Sequence, residues 1–441
     1  MANIKTASAA GRIRRKIQSV NPYTGEVMQE FRLMTQQEIN REMALSRKAF
    51  SAWRSVPFAE RSGYVRKLAD HLRAEKRTYA ELMTKEMGKA VRESLGEIEK
   101  CAWLCDYYAD NAPKFLETEH IKTEAVKSYI RFEPLGIVLA IMPWNFPFWQ
   151  AFRFGVPSIC AGNVVVLKHA SNVPGCALAI EDSFKKAGFP EHVFKTLLIE
   201  AEDALNLIDV DKVDAVSLTG SNKAGEDVGA HAGGKIKKIV LELGGSDPFI
   251  VLDDAVVHKK IAAEFRKQFL ARLMELKVGD PMDESTDIGP VAKTDILNAL
   301  KKQLRDAAAK GAEVIQVEHP LKKGLFFSPC AVFNPSKNMK IMTEEVFGPI
   351  ATIIIVNDDD EAVEVANNTE FGLGASIWSS SHDRAEKLAA RLEAGTIAIN
   401  DMVKSDPRLP FGGVKKSGFG RELSHYGLKE FVNIKSVVVR E

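Results

Sequence analysis

Between residues 137 and 252 the chain is punctuated by short apolar runs, at 137–142, 164–167, 196–199, 215–218, 239–241 and 249–252. Each is rich in Val, Ile and Leu, and apolar positions do not alternate with polar ones. That is the pattern of strands covered on both faces in a parallel sheet. Helical patterns separate them, for example at 176–187 and 202–208. Strand–helix alternation of this kind predicts a doubly wound α/β domain. Upstream, from residue 37 to about 111, apolar residues recur at three- and four-residue steps, as in Leu68, Leu72, Tyr79 and Leu82, and predict helices. A second α/β region runs from about 253 to 424. Its strand candidates are 314–317, 352–356, 375–378 and 396–400, and its clearest helices 293–310 and 382–393. Two further strands, 128–132 and 431–440, lie outside both sheets and need partners, such as another subunit.

Length agrees with more than one core, because 441 residues exceed what a single hydrophobic core supports. Hydrophobic residues make up 45% and charged residues 27%, the balance of an ordinary globular protein. The net charge of +1 gives no global field toward nucleic acid. No apolar run approaches the roughly 18 residues of a membrane helix. Five cysteines, an odd and sparse count, argue against a disulfide framework and for a reducing compartment, the cytoplasm. Lys5, Arg12, Arg14, Arg15 and Lys16 all precede the first acid, Glu26. Such an arm suits a transit peptide, but a solvated tail is the plainer expectation. Cys101 and Cys105 lie four apart on a helix without a His or second Cys pair beside them, so core packing is expected rather than a metal or redox site.

Of six motifs, the first four fall at strand ends, where open α/β sheets bind ligands. Pro143-Trp144-Asn145-Phe146-Pro147 follows the run 137–142, and its prolines fix a turn around an amide suited to an oxyanion. Lys168 ends the run 164–167; alone it reads as a solvated lysine. Leu218-Thr219-Gly220-Ser221-Asn222-Lys223-Ala224-Gly225 passes from strand to helix, which offers backbone N–H groups to an anion. It is not a Walker A loop, since Glu226-Asp227 stand where Lys-Ser/Thr is needed. Glu242-Leu243-Gly244-Gly245-Ser246 places a carboxylate, a candidate general base, before paired glycines. Glu344-Glu345-Val346-Phe347-Gly348-Pro349 and Pro410-Phe411-Gly412-Gly413-Val414-Lys415-Lys416-Ser417-Gly418-Phe419-Gly420-Arg421-Glu422 complete the set. Each has a bland structural reading on its own.

In this order and spacing, the motifs resemble those of the NAD(P)-dependent aldehyde dehydrogenase family, from about Asn21 to Val439. Leu167-Lys168-His169-Ala170-Ser171 and Asn400-Asp401-Met402-Val403-Lys404-Ser405-Asp406-Pro407-Arg408 look most like its bacterial succinate-semialdehyde branch. The resemblance implies three parts. A cofactor domain spans 1–120 and 137–247, a catalytic domain 248–424, and oligomerisation strands 121–136 and 425–441, the last making dimers or tetramers. It also implies roles. Asn145 is the side-chain half of an oxyanion hole and Glu242 the base that activates water. Trp144, Lys168, Ser171, Gly220, Ser221, Glu345 and Phe347 bind NAD or NADP. Arg153 grips the distal carboxylate of a small aldehyde substrate. Uncharged Ser171 would not repel a 2′-phosphate. No metal is implied.

One departure matters. The family nucleophile is a cysteine in a Gly-Gln-x-Cys context, roughly three dozen residues after the base. No Gly-Gln-x-Cys occurs here, and Asp253-Asp254-Ala255 runs directly into Val256-Val257-His258, which resembles sequence beyond the cysteine. By the family pattern about thirty residues are absent between Ala255 and Val256. Cys101, Cys105, Cys160, Cys176 and Cys330 read as buried small apolar residues, not substitutes. Either the complete polypeptide carries the segment, and the reaction runs through a cysteine thiohemiacetal and thioester, or the chain is a nucleotide-binding relative without turnover. Loss of core elements would cost far more than the few kcal/mol a domain can spare, which favours the former. An acyl-phosphate reductase would also need the cysteine, and it would not want a hydrolytic base at Glu242.

Overall fold

The computed structural model describes residues 15–252, 259–317, 321 and 324–441. Lys5, Arg12 and Arg14 of the basic arm and the Ala255–Val256 junction therefore lie outside the described residues, whereas Arg15 pairs with Glu200 and Lys16 begins the first strand. A hairpin of β1 (Lys16–Val20) and β2 (Val27–Arg32) leads into four helices, α1 (Gln36–Trp53), α2 (Phe58–Ala74), α3 (Lys76–Met87) and α4 (Val91–Phe115). Thr35 and Glu38 form a capping box that starts α1. Gly88, in the left-handed conformation at φ +83°, stops α3. Two short strands follow, β3 (Glu119–His120) and β4 (Lys127–Pro134).

The first α/β unit comprises β5 (Ile137–Met142), α5 (Pro147–Cys160), β6 (Val164–His169), α6 (Pro174–Lys186), β7 (Phe194–Thr196), α7 (Ala201–Asp209), β8 (Ala215–Thr219), α8 (Asn222–Gly234) and β9 (Lys238–Glu242). Its strands are buried on both faces, as the unbroken apolar runs predict. Val138, Ala140 and Met142 face a core shared with α2 to α6, whereas Ile137 and Leu139 face one shared with α1, α7 and α8. The strand order is β9-β8-β5-β6-β7, all parallel. Chain order reverses between β5 and β8, so the loops after these two strands diverge and leave a crevice.

The second unit comprises β10 (Phe249–Val251), α9 (Lys259–Glu275), α10 (Thr294–Ala309), β11 (Glu313–Gln316), β12 (Cys330–Phe333), α11 (Lys340–Thr343), β13 (Ile350–Ile353), α12 (Asp359–Asn367), β14 (Gly374–Trp378), α13 (His382–Ala389) and β15 (Thr396–Ile399). Among the described residues it forms two three-stranded sheets, β10-β14-β15 and β11-β12-β13, with β10 and β13 each on an edge. The chain then returns to the first unit. Here β16 (Gly418–Phe419) pairs antiparallel with β9, and α14 (Ser424–Glu430) and β17 (Val432–Val439) follow.

Three expectations need correction. The strands 128–132 and 431–440 are not isolated: β4 and β17 pair with each other, from Val432 opposite Pro134 to Val439 opposite Lys127, and β17 stays on the edge of that sheet. The run 196–199 is strand only to Thr196; Leu197 and Ile199 continue as a buried connection in the second core. The run 352–356 is strand only to Ile353. There the chain passes from one core to another, since Ile353 packs with Phe333 while Ile354 and Val356 pack with Ile250 and Ile377.

Candidate active site

The carboxyl ends of adjacent parallel strands bring the predicted residues to one edge. Thr219 stands opposite Glu242 in the β8–β9 register, and Met142 opposite His169 in β5–β6. The Asn145 loop follows β5, Lys168 ends β6, Ser221 follows β8 and Glu242 ends β9. These loops thus surround the crevice where chain order reverses.

Glu242 is only 2% exposed, and neither carboxylate oxygen accepts a hydrogen bond among the described residues. Burial raises its pKa, with Arg153 pulling down and Glu422 pushing up. Arg153 Nη2 lies 3.8 Å from Glu242 Oε2 and 3.4 Å from Thr219 Oγ1. The Arg153 Nε–H donates to Glu422, whose other oxygen accepts from Ser217 Oγ at 3.2 Å. Arg153 therefore does join the Glu242 carboxylate, but its charge is already engaged by Glu422. Sequence reasoning gave Glu422 no role. It stood at the end of the sixth motif, yet nothing local showed that a residue 269 positions from Arg153 would meet it.

The Asn145 loop is held from outside. Helix α5 has Pro147 in its first turn and no side-chain cap of its own. Buried Glu97 of α4 supplies one, accepting the Phe148 and Trp149 N–H groups at 2.9 Å each, while Lys89 neutralises it. His169 Nε2 lies 2.9 Å from the Pro147 carbonyl, and its Nδ1 accepts the Ala170 N–H. The ring is therefore the neutral tautomer with the proton on Nε2. Asn145 Oδ1 accepts the Phe146 N–H, which leaves the Nδ2 hydrogens for another acceptor.

The nucleotide residues fall into three groups. Ser221 caps α8 by accepting the Ala224 N–H, and Gly220 is tied to the Glu242 carbonyl. A Cβ on Gly225 would lie 2.5 Å from Leu243, so glycine is what lets α8 pack against the β9 end. Glu345 accepts the Gly245 N–H at 3.2 Å, and a Cβ on Gly244 would come within 2.9 Å of its other oxygen. Burial raises the Glu345 pKa. The Trp144 and Phe347 rings meet edge to face at 5.3 Å. Lys168 is largely buried, burial lowers its pKa, nearby Lys293 lowers it further, and no described acid lies within ion-pair distance. Ser171 is exposed beyond it. A half-buried ammonium without an ion-pair partner at the end of β6, a helix N-terminus after β8, and the Glu345 carboxylate set against the glycines that follow β9 fit a dinucleotide's phosphates and ribose hydroxyls.

No thiol stands in for the nucleophile. All five cysteines are free and buried. Burial pushes the Cys160 and Cys330 thiols up to about 12 and the other three well above the ordinary value. A thiol held protonated is inert. A cavity of about 300 Å³ opens between α9 and the β12–β13 sheet, lined by Ala262, Phe265, Arg266, Phe333 and Ile353 and sharing no residue with the Glu242 cluster. Among the described residues no cluster of His, Cys, Asp and Glu could hold a metal, and no helix is long and apolar enough to cross a membrane.

The aldehyde dehydrogenase family model matches the sequence in two stretches, residues 9–256 and 255–437, which meet at the junction noted above. A probable NADP(+) succinate-semialdehyde dehydrogenase of Synechocystis sp. is 44% identical over 449 positions, covering 96% of this chain and 99% of that protein. Since 96% of 441 residues is about 423, about two dozen of those positions have no residue here. The Escherichia coli succinate semialdehyde dehydrogenase named for NAD(P)+ is 40% identical, covering 95% and 97%. The crystal structure of succinic semialdehyde dehydrogenase from Streptococcus pyogenes with NADP+ superposes with a TM-score of 0.93 at 34% identity, covering 96% of this chain and 100% of that one.

Proposed function

This chain belongs to the aldehyde dehydrogenase family, and on that footing we propose that it is the framework of a succinate-semialdehyde dehydrogenase using NADP(+) or NAD. The observation that carries the reading is Glu242. A carboxylate buried at the crevice with neither oxygen hydrogen-bonded, and its nearest cation 3.8 Å away, is costly in a purely structural role. A base of raised pKa that takes a proton from water accounts for it.

Bound dinucleotide supplies the acceptor for the hydrogen and electron pair leaving the aldehyde carbon. Gly220, Ser221 and the first turn of α8 would meet its phosphates, Lys168 and Ser171 its adenosine ribose, and Glu345 its other ribose, with Trp144 and Phe347 packed beside it. The relatives' names point to NADP(+), and uncharged Ser171 raises no barrier to a 2′-phosphate. Asn145 Nδ2 donates to the carbonyl oxygen as a thiolate adds to the carbon. Glu242 then takes a proton from the water that releases the acid.

We infer that the thiolate belongs to about thirty residues lying between Ala255 and Val256 in the complete polypeptide. Four observations support this: the two-part family match, the relatives' extra positions, the five inert thiols, and the edge position of β13 beside an open cavity. We further propose the domain division 1–120 with 137–247, then 248–424. Self-association as a dimer or tetramer would run through 121–136 and 425–441, where Ile121, Val126, Ile434, Val438 and Val439 are exposed apolar residues. Free buried thiols suit the cytoplasm.

The test is intact mass with turnover. A gene product about 3 kDa heavier than 48.7 kDa that reduces NADP(+) with succinate semialdehyde supports the reading, because the thiolate is then present. A heavier product without turnover refutes it. A product of 48.7 kDa that binds NADPH without turnover establishes instead a nucleotide-binding relative.

A further inference from the structure

The loop that carries Glu345 and Phe347 joins α11 to β13 and has little main-chain pairing of its own. Among the described residues, no backbone N–H or C=O of Glu345, Val346 or Phe347 meets another backbone group. The loop takes its position from α10. Val346 packs in one core with Leu297 and Leu300, and a Cβ on Gly348 would collide with Leu300. Beside these contacts stands Gln303. Its Nε2 donates to the Glu345 carbonyl at 3.0 Å and, at 3.4 Å, to Glu344 Oε2. Glu344 is itself fixed by Lys340 at 2.6 Å.

Packing alone does not account for Gln303. The buried stripe of α10 is otherwise Leu297, Leu300 and Ala307. Gln303 is 3% exposed, and its Oε1 accepts no hydrogen bond among the described residues. A buried amide with an unmet acceptor is unfavourable where leucine or methionine would fill the same space. What the amide adds is a hydrogen bond on the main chain of Glu345, which has no other among the described residues. The Glu345 carbonyl thus faces α10, while its carboxylate reaches the other way to accept the Gly245 N–H at 3.2 Å. Phe347, two residues on, meets the Trp144 ring. A main chain turned at Glu345 would carry both side chains away from the crevice.

We propose that Gln303 is a positioning residue for the cofactor: by holding the Glu345 carbonyl, it aims the Glu345 carboxylate at the ribose of the nicotinamide half. This rests on the dinucleotide reading above. A carboxylate meets ribose hydroxyls well only in a narrow range of positions, because hydrogen bonds weaken steeply when bent.

The test is calorimetric titration of the full chain with NADPH and with adenosine 2′,5′-bisphosphate, which lacks the nicotinamide ribose. The wild type is expected to bind NADPH more tightly by about tenfold or more, the worth of a hydrogen bond to a charged group. Gln303→Met keeps the length of the side chain and loses the donor. It is expected to remove most of that preference while bisphosphate affinity stays within about twofold. In a Glu345→Ala background the same change should add nothing, because the group it aims is gone. A merely structural Gln303 would weaken both ligands alike and act equally in either background. A preference that survives in Gln303→Met overturns the proposal, and so does an equal effect on top of Glu345→Ala. Should Gln303→Met fail to fold, Gln303→Glu takes its place: it keeps the shape, lacks the amide donor, and a preference kept there overturns the proposal equally. A wild type that binds neither compound overturns the dinucleotide reading itself, and one that binds both equally overturns the role given to Glu345.

Discussion

Replacing Glu97 is expected to loosen the Asn145 loop more than any nearby surface change. The carboxylate is 1% exposed and does two tasks. One oxygen accepts the Phe148 and Trp149 N–H groups at 2.9 Å each; the other accepts Lys89 Nζ at 2.5 Å, and that side chain is 7% exposed. Hydrogen bonds to a buried charge contribute about 1.5–3 kcal/mol each. Removing one partner of a buried ion pair costs about 3–5 kcal/mol, because the other charge is stranded. Glu97→Ala should therefore lose about 3–5 kcal/mol locally. Glu97→Gln, which keeps an acceptor for the two N–H groups but strands Lys89, should lose about 2–3 kcal/mol. The double variant Lys89→Met/Glu97→Gln should recover part of that. The assay is hydrogen exchange by mass spectrometry over residues 144–153. Since every 1.4 kcal/mol is tenfold, Glu97→Ala should speed exchange of the Phe148 and Trp149 amides by about a hundredfold to a few thousandfold. Exchange within about threefold of wild type would refute the capping role. A double variant no better than Glu97→Gln would refute the argument from the stranded ammonium.

His169 should destabilise the fold in acid. Burial lowers its folded pKa to about 4, below the unfolded value near 6.5, so the unfolded state binds more protons between them and stability falls as pH drops through that window. The effect is at most about 3 kcal/mol, and His169→Gln should show a flatter urea midpoint between pH 7 and 4.5. Gly244→Ala should weaken NADPH binding about tenfold in a fluorescence titration, because its Cβ would meet Asn222 Oδ1 at 2.8 Å and Glu345 Oε2 at 2.9 Å. Lys168→Ala should also weaken NADPH binding by about tenfold while leaving the unfolding midpoint within about 0.5 kcal/mol, since the ammonium has no ion-pair partner to strand.

Much of the architecture was legible because parallel strands buried on both faces leave unbroken Val, Ile and Leu runs. β5, β6, β8, β9 and β10 lie where those runs lie. The errors have one origin. Apolar character reports burial, not strand pairing, so 196–199 and 352–356 overran strands that end at Thr196 and Ile353. The hairpin β1–β2 went unpredicted because most of its residues are exposed; Asn21-Pro22-Tyr23-Thr24-Gly25, with Gly25 at φ +78°, was the available turn signal.

The site divides along the same line. By itself the sequence determined which loops end the strands, that Asn145, Glu242, Lys168 and Ser221 sit on them, and that no cysteine follows the base at the family's spacing. Those are properties of local order along the chain. Only tertiary structure decided which charges meet. Arg153 is taken by Glu422, 269 positions away, and Lys100 is set against Ser405, 305 positions away, with no acid to pair with it. Periodicity tells each side chain how deeply to sit, but the partner of a buried charge is chosen by the packing of whole elements, which no local pattern encodes.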